Sequence, residues 1–223
     1  MHTSASSGSQ PAPTAGTAGQ IRAWILARPW ALSYDVLMHI RPATAADLER
    51  LADIDGTVES SEYLHLDRSG EGLSVSWRLE LRPLRQKLIE RNPIDDECRF
   101  VLKQILSGAE EGLALVAEHD QTPVALAVAQ LRPELRTVHL TDLRVDYDYR
   151  RQGIATVLVY QIIQYARERE LRAVSAETRT NNLPANRLLQ KLAFEIAGID
   201  THRHSNHDMV KESATLFWYA ALD

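Results

Sequence analysis

The chain has 223 residues, 44% of them hydrophobic and 25% charged, which is ordinary globular usage and enough apolar surface for a core without disulfides or metal. A net charge of -5 excludes the global basic field of a nucleic-acid-binding protein, and the sole cysteine, Cys98, excludes an intramolecular disulfide. No apolar run reaches the ~18 residues of a membrane helix, so neither nucleic acid nor membrane is an expected partner and the chain reads as cytoplasmic.

Residues 1–20, MHTSASSGSQPAPTAGTAGQ, are almost wholly Ser, Thr, Ala, Gly, Pro and Gln. Such a segment buries too little apolar surface to offset its ordering entropy and reads as a disordered tail. It has neither the apolar stretch of a secretory signal nor the arginines of a transit peptide. Residues 21–37 are more apolar but are interrupted by Arg22, Arg28 and Pro29, and read either as a short docked helix or as upstream sequence. The expected organisation is an extension over 1–37 and one domain over 38–223, opening with MHIRPATAADLERLADID.

Residues 39–42 read as a short strand, and Thr44 as the N-cap of a helix in which Leu48, Leu51 and Ile54 recur every three positions. Residues 57–75 are polar and turn-rich. A second helix is expected over 75–90, interrupted near Pro83, and a third over 96–106. From Gly112 the pattern changes: GLALVAEH, VALAVAQLR and TVHLTDLRV are strand-like runs separated by turn signals, an antiparallel meander. Residues 154–170 follow as a helix with Ile154, Val157, Leu158, Gln161, Ile162 and Tyr165 on one face. RAVSAET is a strand, 183–192 a helix, and 194–199 and 214–221 closing strands. The fold class is a mixed α/β (α+β) single domain rather than an alternating doubly wound one.

YRRQGIATVL, residues 149–158, stands between a strand and an amphipathic helix. A helix N-terminus carries unpaired N–H groups and partial positive charge, both suited to an anion. Gly153 and the small Ala155 leave room for close backbone approach, and Arg150 and Arg151 can add charge. The residues alone leave two readings open, a phosphate cradle and a solvated basic turn.

The spacing Arg150-x-x-Gly153-x-Ala155 resembles the pyrophosphate loop of the GNAT superfamily of acyl-CoA-dependent N-acyltransferases. NNLPANRLLQKLAF, residues 181–194, is similar to that family's second cofactor segment through Asn182, Ala185, Leu192 and Phe194, and IRPATAADLERL looks like its first strand and helix. Within the superfamily the streptothricin acetyltransferase-type branch is nearest in look, through Asp142 before the expected bulge, ETRTNN, the run from Phe194 to Asp200, and LFWYAAL. The resemblance implies a mostly antiparallel twisted sheet of six to seven strands flanked by helices, with acetyl-CoA as acyl donor. Backbone groups of Leu143 and Val145 would hold pantetheine in a gap between two strands. The segment Arg150, Arg151, Gln152, Gly153, Ile154, Ala155 would hold the pyrophosphate, and Asn182 and Ala185 would belong to the second segment. The branch acetylates an amine of a cationic antibiotic or similar small molecule. Acetylation of protein N-termini or lysines, and a non-catalytic acyl-CoA sensor, are the alternatives. GNAT domains often dimerise, so a homodimer is an expected assembly.

The catalytic groups are less determined. Many family members place Tyr where this chain has Leu189, which removes the usual acid for the leaving thiolate. Asp142, expected just before the pantetheine-binding bulge, is a candidate to orient a cationic amine, or a strand-surface Asp in an ion pair. Glu177, at a strand end beside the gap, is a second base candidate, and Tyr219 a substitute acid or a core aromatic. His202, His204 and His207 in THRHSNHD fit a proton relay or an ordinary polar hairpin; no metal site is expected from them. Glu59, Glu62, Tyr63, Asp67, Glu71 and Trp77 supply acid and aromatic groups suited to a cation, in a region expected to be helical.

Overall fold

The computed structural model describes residues 38–222, so the readings made for 1–37 fall outside the described residues. The strands are β1 Met38–Pro42, β2 Val58–Glu71, β3 Ser74–Glu90, β4 Gly112–His119, β5 Thr122–Arg132, β6 Thr137–Val145, β7 Ala173–Arg179, β8 Glu195–Asp200 and β9 Thr215–Ala221. The helices are α1 Asp96–Ser107, α2 Ile154–Glu168 and α3 Leu183–Lys191. Seven strands form one mixed sheet in the order β1-β4-β5-β6-β7-β9-β8, and β2 pairs only with β3. Within the large sheet β6–β7 is the one parallel pair. The expected meander is β4-β5-β6.

The apolar runs of β4 and β5 are buried on both faces, which is why they read as nearly continuous hydrophobic stretches rather than alternating ones. One face, carrying Val138, Leu140, Val174, Ala176 and Trp218, packs on Leu158 and Ile162 of α2. The other, carrying Ala114, Val116, Leu126 and Val128, packs on Cys98 and Leu102 of α1 and on Leu51 and Ile54. Full burial of each large side chain contributes roughly 1.5–3 kcal/mol. Helix α1 is bounded as its sequence suggests: Asp95 accepts a cap bond from Cys98 N–H at 2.7 Å, and Gly108 ends it at φ 75°.

Two expected helices are absent. Residues 45–54 form two 3-10 turns, Ala45–Asp47 and Arg50–Asp53. The Asp47 carboxylate accepts from the Thr44 N–H at 2.7 Å, the Thr44 hydroxyl at 2.9 Å and the Arg41 guanidinium at 2.7 and 2.8 Å, a capping box that starts the first turn at Thr44 as expected. The apolar period still finds its target, because Leu51 and Ile54 are buried.

Residues 57–90 are the larger correction. The polar stretch and the expected helix pair with each other as the long hairpin β2–β3, from Val58↔Glu90 to Glu71↔Ser74. Val75, Trp77, Leu79 and Leu81 alternate with period two, the strand period, and that signal outweighs the leucine content. The interruption near Pro83 exists as a break in register: Ser60↔Leu88 is followed by Glu62↔Pro83, leaving residues 84–87 outside the ladder.

Candidate active site

Strands β6 and β7 begin as a regular parallel pair. Four rungs hold them: Thr137↔Ala173, Val138↔Val174, His139↔Ser175 and Leu140↔Ala176. The pairing stops there, although both strands continue. Beyond Leu140, β6 pairs only with β5, as far as Val145↔Ala125, and beyond Ala176, β7 pairs only with β9, as far as Arg179↔Thr215. The two strands therefore part, and their facing backbone edges make no ladder bonds with each other. Leu143 and Val145 lie on the parted length of β6, where the resemblance placed them. The parting coincides with a β-bulge: Asp142 faces Val128 and Leu140 faces Ala129, so Thr141 is the extra residue. Asp142 thus follows the bulge rather than preceding it.

Both strands lead into helices at the same end of the sheet. After β6 the chain makes a 3-10 turn, Tyr147–Tyr149, and reaches α2 through residues 150–153. Arg151 (φ 64°) and Gly153 (φ 86°) take left-handed conformations, which turn the chain sharply into the helix. No side chain caps α2, and the N–H groups of Ile154, Ala155 and Thr156 have no acceptor among the described residues. Ile154 is buried and anchors the helix in the core, while Arg151 and Gln152 are exposed. Residues 150–153 thus lead directly into the free N–H groups of Ile154, Ala155 and Thr156, while the Arg150 N–H is taken by the Tyr147 carbonyl.

Arg150 has a different role from the one its charge suggested. Its Nε donates to the Val145 carbonyl at 3.0 Å, its Nη1 to the Thr57 carbonyl at 2.5 Å and its Nη2 to the Asp55 carbonyl at 3.2 Å. The side chain ties the loop to the end of β6 and to the segment leading into β2. It also occupies the Val145 carbonyl.

After β7 the second segment is built around Asn side chains. Asn182 caps α3, its Oδ1 accepting from Ala185 N–H at 3.3 Å, so two expected cofactor residues are joined to each other. Asn186 accepts from the Thr178 hydroxyl at 2.5 Å and donates to the Arg179 carbonyl at 3.0 Å, and Trp218 donates to the same hydroxyl at 2.8 Å. Asn181 is only 7% exposed and its Oδ1 has no partner among the described residues. A buried acceptor left unpaired costs about 1–3 kcal/mol unless a ligand or water meets it, which makes Asn181, beside Asn182, a candidate site residue that the sequence reading passed over. The paired Asn181-Asn182 was its only signal. Leu189, at the position where the branch keeps Tyr, is 2% exposed and belongs to the core.

The candidate catalytic groups share one sheet face. His139 faces Gln130, and Asp142 faces Val128. Three positions apart, they would point oppositely on a regular strand; the extra residue Thr141 returns them to one face. Across the sheet, Ser175 lies beside His139, Tyr219 beside Ser175, and Phe217 beside Glu177. The bulge therefore brings Asp142 onto the face shared by Glu177 and Tyr219. Each is engaged. Asp142 forms a two-pronged ion pair with Arg144, the Arg144 Nε donating to Oδ1 at 2.8 Å and Nη2 to Oδ2. Glu177 accepts from Arg203 at 3.0 Å, and Arg203 also lies over the Phe217 ring. The Arg172 guanidinium lies 6.0 Å from the Tyr219 ring centre.

His139, which the sequence reading did not single out, is the most perturbed group on this face. Burial first, and then the charges of Arg132 and Arg203, push its imidazole down to about 4, so it is neutral across the physiological range. Its position in TVHLTDLRV, three before Asp142, hides the shared face because the bulge leaves no sequence mark.

His202, His204 and His207 are exposed, and among the described residues no group of His, Cys, Asp and Glu is arranged to hold a metal ion. Their loop is organised by Asp208, which accepts from His204 N–H at 2.9 Å and the Ser205 hydroxyl at 2.7 Å. The acidic and aromatic residues of the hairpin are spread along it: Glu59 pairs with Lys87, Glu62 with Arg187 and Asp67 with Arg82, while the Tyr63 hydroxyl meets His65. Glu71 and Trp77 stand exposed toward its tip. A shallow cleft joins the middle of β2, Tyr63 to Leu66, with Thr180, Met209 and Ala214. Among the described residues, no helix is long and apolar enough to cross a membrane.

Comparison with known proteins gives a consistent picture. The family model described as "Acetyltransferase (GNAT) family" matches residues 77–194, just over half of the chain. Streptothricin acetyltransferase A of Bacillus subtilis (strain 168) is 34% identical over 80 residues, 36% of this chain and 46% of that protein. A streptothricin acetyltransferase of Escherichia coli is 32% identical over 75 residues, 34% and 43% of the two chains. The matched region thus spans less than half the length of these curated relatives. A protein from Bacillus anthracis str. Ames, assigned as a streptothricin acetyltransferase and solved in complex with acetyl coenzyme A, shares the fold at a TM-score of 0.68, with 20% identity over 86% of this chain and 99% of that one.

Proposed function

The chain belongs to the GNAT acetyltransferase family, and from that premise we propose that it transfers the acetyl group of acetyl-CoA to a primary amine of a small, cationic, antibiotic- or polyamine-like molecule. One observation carries the reading: β6 and β7 part after Leu140↔Ala176, and the parted strands open toward the bare N-terminus of α2. A thioester with a long amide-bearing arm and a pyrophosphate matches that arrangement, since it needs exposed strand edges and then a row of N–H donors. The residues fit such a donor. Ile154, Ala155 and Thr156 have free N–H groups, Gly153 supplies the left-handed turn, Asn181 holds a buried unpaired acceptor, and Leu143 and Val145 lie on the parted edge. Asn182 and Ala185 support the second segment by capping α3.

The similarity to two streptothricin acetyltransferases supports a small cationic acceptor. Asp142, Glu177 and Tyr219 share the sheet face beside the gap, where the half-buried Glu177 offers negative charge to an ammonium, while the Asp142 carboxylate is already matched by the Arg144 fork. With Leu189 in the core, protonation of the departing thiolate falls to Tyr219 or to water.

The test is to incubate the protein with acetyl-CoA and a panel of streptothricin-like and aminoglycoside drugs, polyamines and peptides, and to follow free thiol. Thiol release on the small cationic amines is expected. Release on peptides alone would replace this reading with protein acetylation, and tight acetyl-CoA binding with no release on any acceptor would replace it with a sensor. Light scattering on the same sample reads the expected homodimer.

A further inference from the structure

We infer that His139 is the general base of the transfer, accepting the proton that the acceptor amine loses as it is acylated. The inference rests on the acetyltransferase reading above and adds a residue to it.

Position comes first. His139 is on the last rung but one before β6 and β7 part, and the bulge at Thr141 follows within two residues. A donor arm lying between the parted strands ends where they rejoin, and that is where the reacting carbonyl belongs. On this sheet face His139 lies one residue before the parting, Glu177 one residue past it and Asp142 beyond the bulge, and of the three His139 keeps an unpartnered nitrogen while Arg203 holds Glu177 and Arg144 holds Asp142.

The ring is oriented and half occupied. Nδ1 of His139 is 3.1 Å from Oγ of Ser175, its partner across the parallel rung, and Nε2 has no partner among the described residues. When Nδ1–H donates to Oγ, the lone pair is on Nε2. Ser175 is buried and fixes the ring plane.

Charge agrees with the role. Arg132 and Arg203 flank the imidazole, with Glu177 and Tyr219 on the neighbouring strands of the same face. These cations, together with burial, keep the ring unprotonated. A weak base suffices here. The amine attacks in its neutral form, the C–N bond forms at the thioester carbon, and the nitrogen then becomes strongly acidic. Its proton passes to Nε2, the C–S bond breaks, the CoA thiolate takes a proton from solvent, and the imidazolium returns one to solvent.

The experiment compares the wild type with His139→Gln, His139→Asn and Ser175→Ala on an amine that the wild type acetylates. A general base contributes about 10²–10⁴-fold. Both His139 variants should lose kcat by about that factor, with acetyl-CoA affinity unchanged and with part of the rate restored by added imidazole. Ser175→Ala should lose less. A kcat within threefold of wild type, or a fall that tracks lost acetyl-CoA affinity, overturns the assignment. Nitrogen NMR of histidine-labelled wild type gives a readout free of acceptor and of variants: Nε2 of His139 should shift when acetyl-CoA is added. If the wild type binds acetyl-CoA but acetylates no amine, the functional reading fails by itself, and an unmoved Nε2 signal would then sink the His139 assignment separately.

Discussion

Arg144 and Asp142, two residues apart on β6, grip each other in a fork under α1, and the same guanidinium reaches the Asn92 carbonyl at 2.8 Å. Arg144 is 4% exposed, so this is a buried pair that also ties the loop before α1 to the sheet. Removing one partner of a buried pair typically costs about 3–5 kcal/mol. Asp142→Asn should therefore destabilise the fold, and Arg144→Met should do so as well because Asp142 is left unpaired. Chemical denaturation reads both. If Asp142→Asn unfolds at the wild-type midpoint and raises only the acceptor KM, Asp142 serves the acceptor rather than the fold.

The loop before α2 separates charge from geometry. Gly153→Glu places bulk and negative charge at a φ of 86° where the donors converge, and should abolish acetyl-CoA affinity by calorimetry. Arg150→Lys keeps the charge but cannot span the carbonyls of Val145, Thr57 and Asp55. It should weaken binding about tenfold in a range where each tenfold is about 1.4 kcal/mol. Arg151→Ala, at an exposed position, should change affinity by less than about threefold and only at low salt. Full affinity in Arg150→Lys beside a clear loss in Arg151→Ala would return the explanation to charge alone.

The buried imidazole gives stability a signature in pH. An unfolded His titrates near 6.5, and His139 in the fold near 4. Above 6.5 both states are neutral and the full stability is present. As pH falls from 6.5 to 4, the unfolded chain takes up a proton that the folded one refuses, and stability declines by about 1.4 kcal/mol per unit, roughly 3 kcal/mol in all. Carboxylates act lower. Burial pushes Asp47 up, but bonds from Arg41 and Thr44 outweigh it, and Arg41 holds Glu118 down, so their contributions fade below about pH 4. Between pH 7.5 and 5.0 the wild type should lose about 2 kcal/mol more than His139→Gln. Parallel curves for the two proteins would refute the linkage.

Cys98 is buried, and burial followed by the nearby Asp142 charge pushes its thiol well above the usual range. An aromatic disulfide reagent should find no reactive thiol in the native protein and one per chain after denaturation. Rapid native labelling would contradict the packing described around α1.

The turn proposed to hold the donor was legible because its geometry is written in backbone requirements. A left-handed glycine, a small residue two positions on and an uncapped apolar helix leave a local trace, and residues 150–155 carry it. The acceptor side was not. Whether His139 and Asp142 share a face depends on one extra residue at Thr141, and whether β6 and β7 part depends on which partner each strand keeps. Neither is a property of a short window. The hairpin was misread for a related reason: Glu59, Asp67 and Arg82 look like loop or helix surface until they are paired across two strands.

That hairpin bears on how the protein behaves in concentrated solution. The backbone edges of β2 and β3 meet the rest of the fold at Leu64 N–H, which donates to the Thr180 carbonyl at 3.1 Å, and at Arg85 N–H, which donates to Glu212 at 3.3 Å, and elsewhere their outer edges offer ladder groups to any passing strand. One face carries Leu64, Leu79, Leu81 and Trp77, the last two exposed, and the other carries Asp67, Arg78, Glu80 and Arg82. Pro83 removes one edge donor, and the mixed charges discourage a flat approach. Neutralising Asp67, Arg78, Glu80 and Arg82 and replacing Pro83 should therefore turn a solvated arm into a better template for strand addition.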